Sequence, residues 1–233
     1  MNKEKLLLEL QNRDIKCDEK QAEELVKFMH HVLSWNERFN LTAIKDEESF
    51  MEKMIFDSAI ALNDLSLSDK KVIDIGTGAG FPGVVLYLLS GNIDLTLLDS
   101  TNKKIELLKQ YGIDNDCSYK CVCARAEEYA RNNREQFDYV FARAVAPLNI
   151  LLELCIPLLK VGGSFVALKG PGLEEELNSC KSALNKLNCH IQKVIEDELP
   201  ESHEVRNIIY IYKDKETNKK YPRDYKDIKK LPL

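Results

Sequence analysis

Val72-Ile73-Asp74-Ile75-Gly76-Thr77-Gly78-Ala79-Gly80-Phe81-Pro82-Gly83 is an apolar run that breaks into three alternating glycines before a helical pattern resumes. Glycine at 76, 78 and 80 removes every Cβ from the crossover, and the helix that follows begins with unpaired N–H groups. Backbone can therefore come very close to a ligand at this turn. A strand, a glycine loop and a helix in that order open an α/β fold.

The spacing is Gly-x-Gly-x-Gly with Asp74 two residues ahead, which differs from the Gly-x-Gly-x-x-Gly that supports a dinucleotide pyrophosphate. A carboxylate in the loop repels a diphosphate. It can receive, directly or through water, the ammonium of an amino acid, such as the methionine part of S-adenosylmethionine. Nineteen residues after Gly80, the apolar run Ile93 to Leu98 ends in Asp99, placed to accept both hydroxyls of a ribose. Taken alone the loop also has a packing reading; with Asp74 and Asp99 it points to a cofactor.

Outward from the loop, strand and helix patterns alternate: strand 71–75, helix 82–90, strand 93–98, helix 102–111 and strand 119–123. They continue as strand 137–142, helix 147–158, strand 163–169, helix 173–187 and apolar runs near 190–196 and 206–212, with Gly162-Gly163 as the turn into the fifth strand. Alternation of this kind predicts parallel strands joined by right-handed crossovers. The last two runs, separated by Pro200, have too short a connection for a crossover and should pair antiparallel. The expected fold is α/β, a Rossmann-like, seven-stranded, mostly parallel sheet of the class I S-adenosylmethionine-dependent methyltransferase type. Residues 1–65 read as a helical extension, with Ala22, Leu25, Val26, Met29, Val32 and Leu33 at helical spacing, a turn at Trp35 to Thr42 and a further helix from about Glu47 to Ala61. The expected organisation is this extension, a catalytic domain over 66–213 and a basic tail over 214–233.

A chain of 233 residues that is 44% hydrophobic holds a globular core, and its apolar runs are too short for a membrane span. The start MNKEKLLLELQNRD lacks the long apolar region of a signal peptide, so a soluble intracellular protein is expected. Seven cysteines without framework spacing fit reduced thiols, and Cys117, Cys121 and Cys123 form no Cys-x-x-Cys pair, so no metal is expected. The net charge of −5 is unevenly placed: residues 213–230 carry eight cations against four carboxylates, +4 locally, which leaves −9 for the remainder. Such a tail, with Tyr221 and Tyr225 as stacking groups, suits phosphates and bases, and equally suits a solvated terminus.

In an open parallel sheet, ligands bind outside the carboxyl ends of the strands. The candidates are Asp74 to Gly80 on strand one, Asp99 on strand two, Ala124 to Glu127 on strand three, Arg143 on strand four and Lys169 on strand five. Ala126 and Glu127 are placed to read an adenine edge through a backbone N–H and the acid; the competing reading is a first-turn acid favoured by the helix dipole. Arg143 ends an apolar strand, where a charge needs an anion or an acid beside it. Lys169 suits RNA contact or a snorkelling cation. The four histidines, including adjacent His30 and His31, offer no Ser-His-Asp or Cys-His arrangement.

Asn40-Leu41-Thr42-Ala43-Ile44, the loop Asp74 to Gly83, Leu97-Leu98-Asp99-Ser100, Arg125-Ala126-Glu127, Ala142-Arg143-Ala144-Val145-Ala146, Ala167-Leu168-Lys169 and Tyr221-Pro222-Arg223 occur in this order. Together they resemble the ribosomal RNA small-subunit methyltransferase G family, also called glucose-inhibited division protein B, over nearly the whole chain. The resemblance implies a cytoplasmic bacterial enzyme that moves a methyl group from S-adenosylmethionine to N7 of a guanine in 16S ribosomal RNA of the small subunit; a monomer is the expected state. It implies cofactor contacts at Gly76, Phe81, Ala126 and Glu127, which join Asp74, Gly78, Gly80 and Asp99. Arg143 would lie at the boundary of cofactor and substrate, and Asn40, Lys169 and Arg223 are RNA-binding candidates. One departure is Met54, in Lys53-Met54-Ile55-Phe56-Asp57-Ser58, where many relatives have histidine, so no RNA-binding role of that histidine carries over.

Three other readings use the same residues. A nicotinamide oxidoreductase shares Asp99 but is disfavoured by Asp74 and the glycine spacing, and preferential retention of a nicotinamide cofactor would identify it. An RNA-binding protein with a vestigial site would bind RNA without methyl transfer. A small-molecule methyltransferase would use the same cofactor loop with another acceptor.

Overall fold

The computed structural model describes residues 1–63 and 65–233, so one position of the expected N-terminal extension lies outside it. Among the described residues, seven strands form one sheet in the order β3-β2-β1-β4-β5-β7-β6, comprising β1 (Lys71–Ile75), β2 (Asp94–Asp99), β3 (Lys120–Cys123), β4 (Phe137–Arg143), β5 (Leu159–Lys169), β6 (Cys189–Glu198) and β7 (Val205–Lys213). β1 to β5 pair in parallel, whereas β7 runs antiparallel to both β5 and β6. After β3, at the sheet edge, the chain crosses back to place β4 beside β1, and that reversal of strand order opens the cleft at the carboxyl ends of β1 and β4.

Alternate residues of each central strand serve different layers. Val72, Phe141, Val166 and Tyr210 face one core, filled by α1 (Lys3–Gln11), α2 (Glu19–Phe39), α5 (Gly83–Ser90) and α6 (Asn102–Asp114). Ile73, Val140, Ala142, Phe165 and Ile211 face the other, filled by α7 (Ala126–Asn132), α8 (Leu148–Cys155), α10 (Lys181–Leu187) and α11 (Tyr225–Lys230). The helices at each end of the chain are therefore built into the two cores.

α2 starts at a capping box of Asp18 and Gln21, and buries Ala22, Leu25, Phe28, Met29 and Val32; Val26 and Leu33 of the sequence stripe are only partly covered. Beyond the turn, the helix expected from about Glu47 to Ala61 is present as one unbroken helical run, but of mixed type: α3 (Glu47–Phe50), a π-helical segment (Met51–Phe56), α4 (Asp57–Ala59) and a 3-10 turn (Ile60–Leu62). The widened segment buries Met51, Ile55 and Phe56 while Lys53, Met54 and Asp57 meet the cleft.

Two further boundaries differ from the sequence reading. The helix expected over 173–187 is broken at the buried Cys180 into α9 (Leu173–Ser179) and α10. β5 begins at Leu159, ahead of the glycine pair: Phe137 opposes Leu159, yet Tyr139 opposes Ser164, so Gly162-Gly163 sits inside a bulge. A Cβ on Gly163 would lie 2.8 Å from the Asp138 carbonyl oxygen, and so close an approach requires glycine.

The basic tail packs on the protein. Tyr221 and Ile228 are buried, and both the amide and the guanidinium of Arg223 reach the fully buried Glu153 of α8, at 2.9 and 2.8 Å. Arg134 donates to the carbonyls of Thr217 and Tyr221. At the other end of the chain, Arg13 clamps both carboxylate oxygens of Asp197 on β6, at 2.8 and 2.9 Å. None of the helices among the described residues is long and apolar enough to cross a membrane.

Candidate functional site

At the carboxyl ends of β1, β2 and β3 lies a cavity of about 320 Å³ whose wall includes Gly76, Asp99, Lys104, Ala126, Glu127 and Tyr225. The Gly76 and Thr77 amides both donate to the Leu98 carbonyl, at 2.8 and 3.0 Å, and this pins the glycine loop across the end of β2. Gly76 has φ +67°, and a Cβ there would fall 2.6 Å from a methyl of Val145. Only glycine meets both demands. Asp99, nearly buried, accepts from the Gly78 amide at 3.0 Å through one oxygen and from the Thr101 amide at 2.8 Å through the other. The carboxylate is thus fixed in orientation with lone pairs to spare for two vicinal hydroxyls.

Glu127 is 6% exposed; its Oε1 takes a bond from Arg125 Nε at 3.2 Å, while Oε2 is buried with no partner among the described residues. A carboxylate oxygen left bare at a cavity wall is costly unless a donor arrives. The exocyclic amine of an adenine is such a donor, and Asp99 across the cavity matches the ribose.

Asp74, Gly80 and Phe81 lie behind this wall. Asp74 is fully buried, with Oδ2 held at 2.8 Å by the Gly83 amide and Oδ1 without a partner among the described residues. Burial pushes its carboxyl up to about 6, opposed first by the Thr77 hydroxyl beside it and then by the Gly83 hydrogen bond and the charge of Arg143. A Cβ on Gly83 would lie 2.3 Å from Leu97 Cδ2 and 2.8 Å from Asp74 Oδ2, so the start of α5 can seat on β1 and β2 only with glycine there. Phe81 packs edge-on against Phe50 and tilted against Phe28 at ring distances of 5.5 and 5.2 Å, tying the N-terminal helices to the loop. A Cβ on Gly80 would meet Leu108 and Phe28. These residues shape the loop from beneath.

A second cavity, about 410 Å³, is lined by Lys53, Met54, Asp57, Arg143, Lys169 and Arg206 among others. Ala144 borders both cavities. It holds φ +53°, a left-handed conformation that costs an alanine about 1–3 kcal/mol. The cations in this wall are anchored. Arg143 donates to Asp57 Oδ2 and to the Lys53 carbonyl, each at 3.0 Å, and to the Met54 sulfur at 3.2 Å. Arg206 holds the other Asp57 oxygen at 3.2 Å and Glu204 at 2.7 Å; Lys53 also pairs with Glu204. Lys169 reaches Glu176 at 2.8 Å and the Ala146 carbonyl at 2.7 Å. Four cations face three carboxylates, leaving a positive surplus around a concave, partly apolar space.

A family model described as rRNA small subunit methyltransferase G matches residues 21–209. The chain belongs to that family. It is 40% identical over 222 residues, 93% of this chain and 92% of the relative, to the ribosomal RNA small subunit methyltransferase G of Alkaliphilus metalliredigens. The Clostridium novyi protein of the same name is 37% identical over the whole of both chains. Among solved structures, M. jannaschii TYW2 in complex with AdoMet superposes with a TM-score of 0.58 at 13% identity, over 73% of this chain and 79% of that one, and shares the fold.

Within this methyltransferase G architecture, Gly76, Asp99, Ala126 and Glu127 of the expected cofactor set line the first cavity, Gly78 orients Asp99, and Arg143 lines the neighbouring cavity. Asn40 is the left-handed C-cap of α2, exposed, with its amide on the Asn36 carbonyl at 3.0 Å. The loop it starts is held by Asn36 Oδ1 on the Thr42 amide at 2.9 Å and delivers Ile44 to the second cavity. Arg223 is engaged by Glu153, remote in sequence and fully buried. Sequence reasoning did not single out Lys53, Asp57 or Arg206 as site residues. Arg206 had a usable signal: β7 runs backwards, so its first residues, like the last residues of β5, end at the cleft. The burial of Cys121 pushes its thiol up to about 11, and among the described residues no group of three or more His, Cys, Asp and Glu is placed to hold a metal.

Proposed function

We propose that the protein transfers the methyl group of S-adenosylmethionine to N7 of a guanine in 16S ribosomal RNA. The observation that carries the reading is the pair of cavities meeting at Ala144, one with the carboxylates a nucleoside needs and one with a cationic wall. Asp99 would hold the ribose, Glu127 and the Ala126 amide the adenine edge, and the loop from Gly76 the methionine end.

When bound, S-adenosylmethionine supplies an electrophilic methyl on a sulfonium, which guanine N7 can accept on its in-plane lone pair without losing a proton. No general base is therefore required of the chain, in accord with a second cavity furnished with anchored cations. What the residues must supply is alignment, which lowers barriers by about 7–11 kcal/mol in favourable systems. Arg143 is the residue placed to provide it, since Asp57 and the Lys53 carbonyl fix its guanidinium beside the junction. Its remaining donors suit guanine O6 or a phosphate. The RNA major groove is narrow, so a guanine in a loop or one splayed from its stack fits this concave wall better than one in a helix.

Labelled methyl transfer from S-adenosylmethionine to undermethylated 16S RNA and to intact small subunits, followed by digestion to nucleosides, tests the reading. Label in 7-methylguanosine at one site is expected. No transfer to either substrate by protein that binds the cofactor would overturn it and direct the search to small-molecule acceptors. Arg143→Ala should lower turnover, and unchanged turnover together with unchanged cofactor binding would remove Arg143 from the assignment.

A further inference from the structure

We infer that Tyr225, brought in by the C-terminal segment, is a cofactor-binding residue that closes the adenosine side of the first cavity. Its ring lies under the Arg125 guanidinium at 4.4 Å, Arg125 in turn bonds Glu127 at 3.2 Å, and all three residues line the cavity. The ring is half-buried and belongs to the wall that carries the unpartnered Glu127 oxygen. A planar group beside a buried acceptor is what a purine requires: a face to lie on and an oxygen for its amine. Arg125 over the same ring adds a cation to that platform.

The segment is built to hold Tyr225 there. Tyr221 and Ile228, on either side of it, are buried, and Arg223 is fastened to Glu153 through both backbone and side chain. A tail serving only as a mobile basic arm would need none of these anchors. The inference rests on the S-adenosylmethionine reading of the cavity and is independent of which acceptor is methylated.

Calorimetric titration of the full chain with S-adenosylhomocysteine and with 5′-methylthioadenosine, which keeps the adenosine but lacks the amino acid, tests it, with thermal unfolding of each variant alongside. Tyr225→Ala is expected to weaken both ligands by the same factor, at least about fivefold. Tyr225→Phe, which keeps the ring, should stay within about twofold of the parent. If the alanine variant does not fold, Tyr225→Leu decides, with weakening of both ligands expected. Unchanged affinity in the folded variants would overturn the inference and leave Tyr225 a packing residue, and so would weakening of S-adenosylhomocysteine alone. Failure of the parent chain to bind either ligand would overturn the cofactor reading itself.

Discussion

Replacing Asp74 with asparagine should change how stability depends on pH. The carboxyl is fully buried, with one oxygen on the Gly83 amide and the other bare, and burial raises it from an ordinary 3.8 to about 6. The folded chain thus holds this proton more tightly than the unfolded chain does. Stabilisation from the group is complete below pH 3.8 and is lost as pH rises through about 6. The full separation corresponds to about 3 kcal/mol, of which about 1.3 kcal/mol falls between pH 5 and pH 7. Asparagine keeps the shape and an acceptor for Gly83 but cannot titrate. Urea unfolding of the ligand-free parent and Asp74→Asn at pH 5, 6 and 7 should show the parent gaining about 1.3 kcal/mol over the variant on going from pH 7 to pH 5. Parallel curves would refute the reasoning.

Gly83→Ala should lower unfolding stability by about 1–3 kcal/mol or more, because the added carbon would sit 2.3 Å from Leu97 Cδ2; an unchanged urea midpoint would contradict the packing described. Asp57→Ala strips the partner shared by Arg143 and Arg206, and should cost about 3 kcal/mol in urea unfolding and slow methyl transfer, with cofactor affinity by calorimetry nearly unchanged. Ala144→Gly relieves a left-handed alanine and should raise the melting temperature by the equivalent of about 1 kcal/mol; a lower one would show that the side chain matters more than the strain. Arg223→Ala would strip the cation from the buried Glu153 and leave it only the amide of residue 223, at a cost of about 3 kcal/mol by urea unfolding, whereas full stability with weakened RNA binding would return Arg223 to the RNA-contact role.

The sheet was legible because its signals are local: apolar runs ending in Asp74 and Asp99, and glycines where the chain turns. β1, β2, β4 and the reversal at β7 lie close to their expected positions. What the sequence hid depends on distance in the chain. Asp57 and Arg206 are 149 residues apart and meet only when the π-helical segment and the start of β7 reach the same end of the sheet. Glu153 reads as one polar residue among leucines, and only the fold brings Arg223 to it. The glycine pair 162–163 has the composition of a turn, and β4 on its flank makes it a bulge instead. At the loop, local reading grouped Asp74, Gly80 and Phe81 with Gly76, because sequence adjacency does not distinguish the face toward a cavity from the face toward a core.

The order of strands also governs how this chain can be made. β6 is synthesised before β7 yet has its place in the sheet only through β7, which inserts between it and β5. Until residues 205–213 have left the ribosome, the nascent chain therefore carries two unsatisfied strand edges, one of them on the apolar Phe165-Val166-Ala167-Leu168 stretch. Tyr221 and Ile228 are later still, and they complete the second core. Premature termination before the end of β7 would thus yield a sticky, incomplete sheet in place of a slightly shortened enzyme, a substrate for chaperones and proteases.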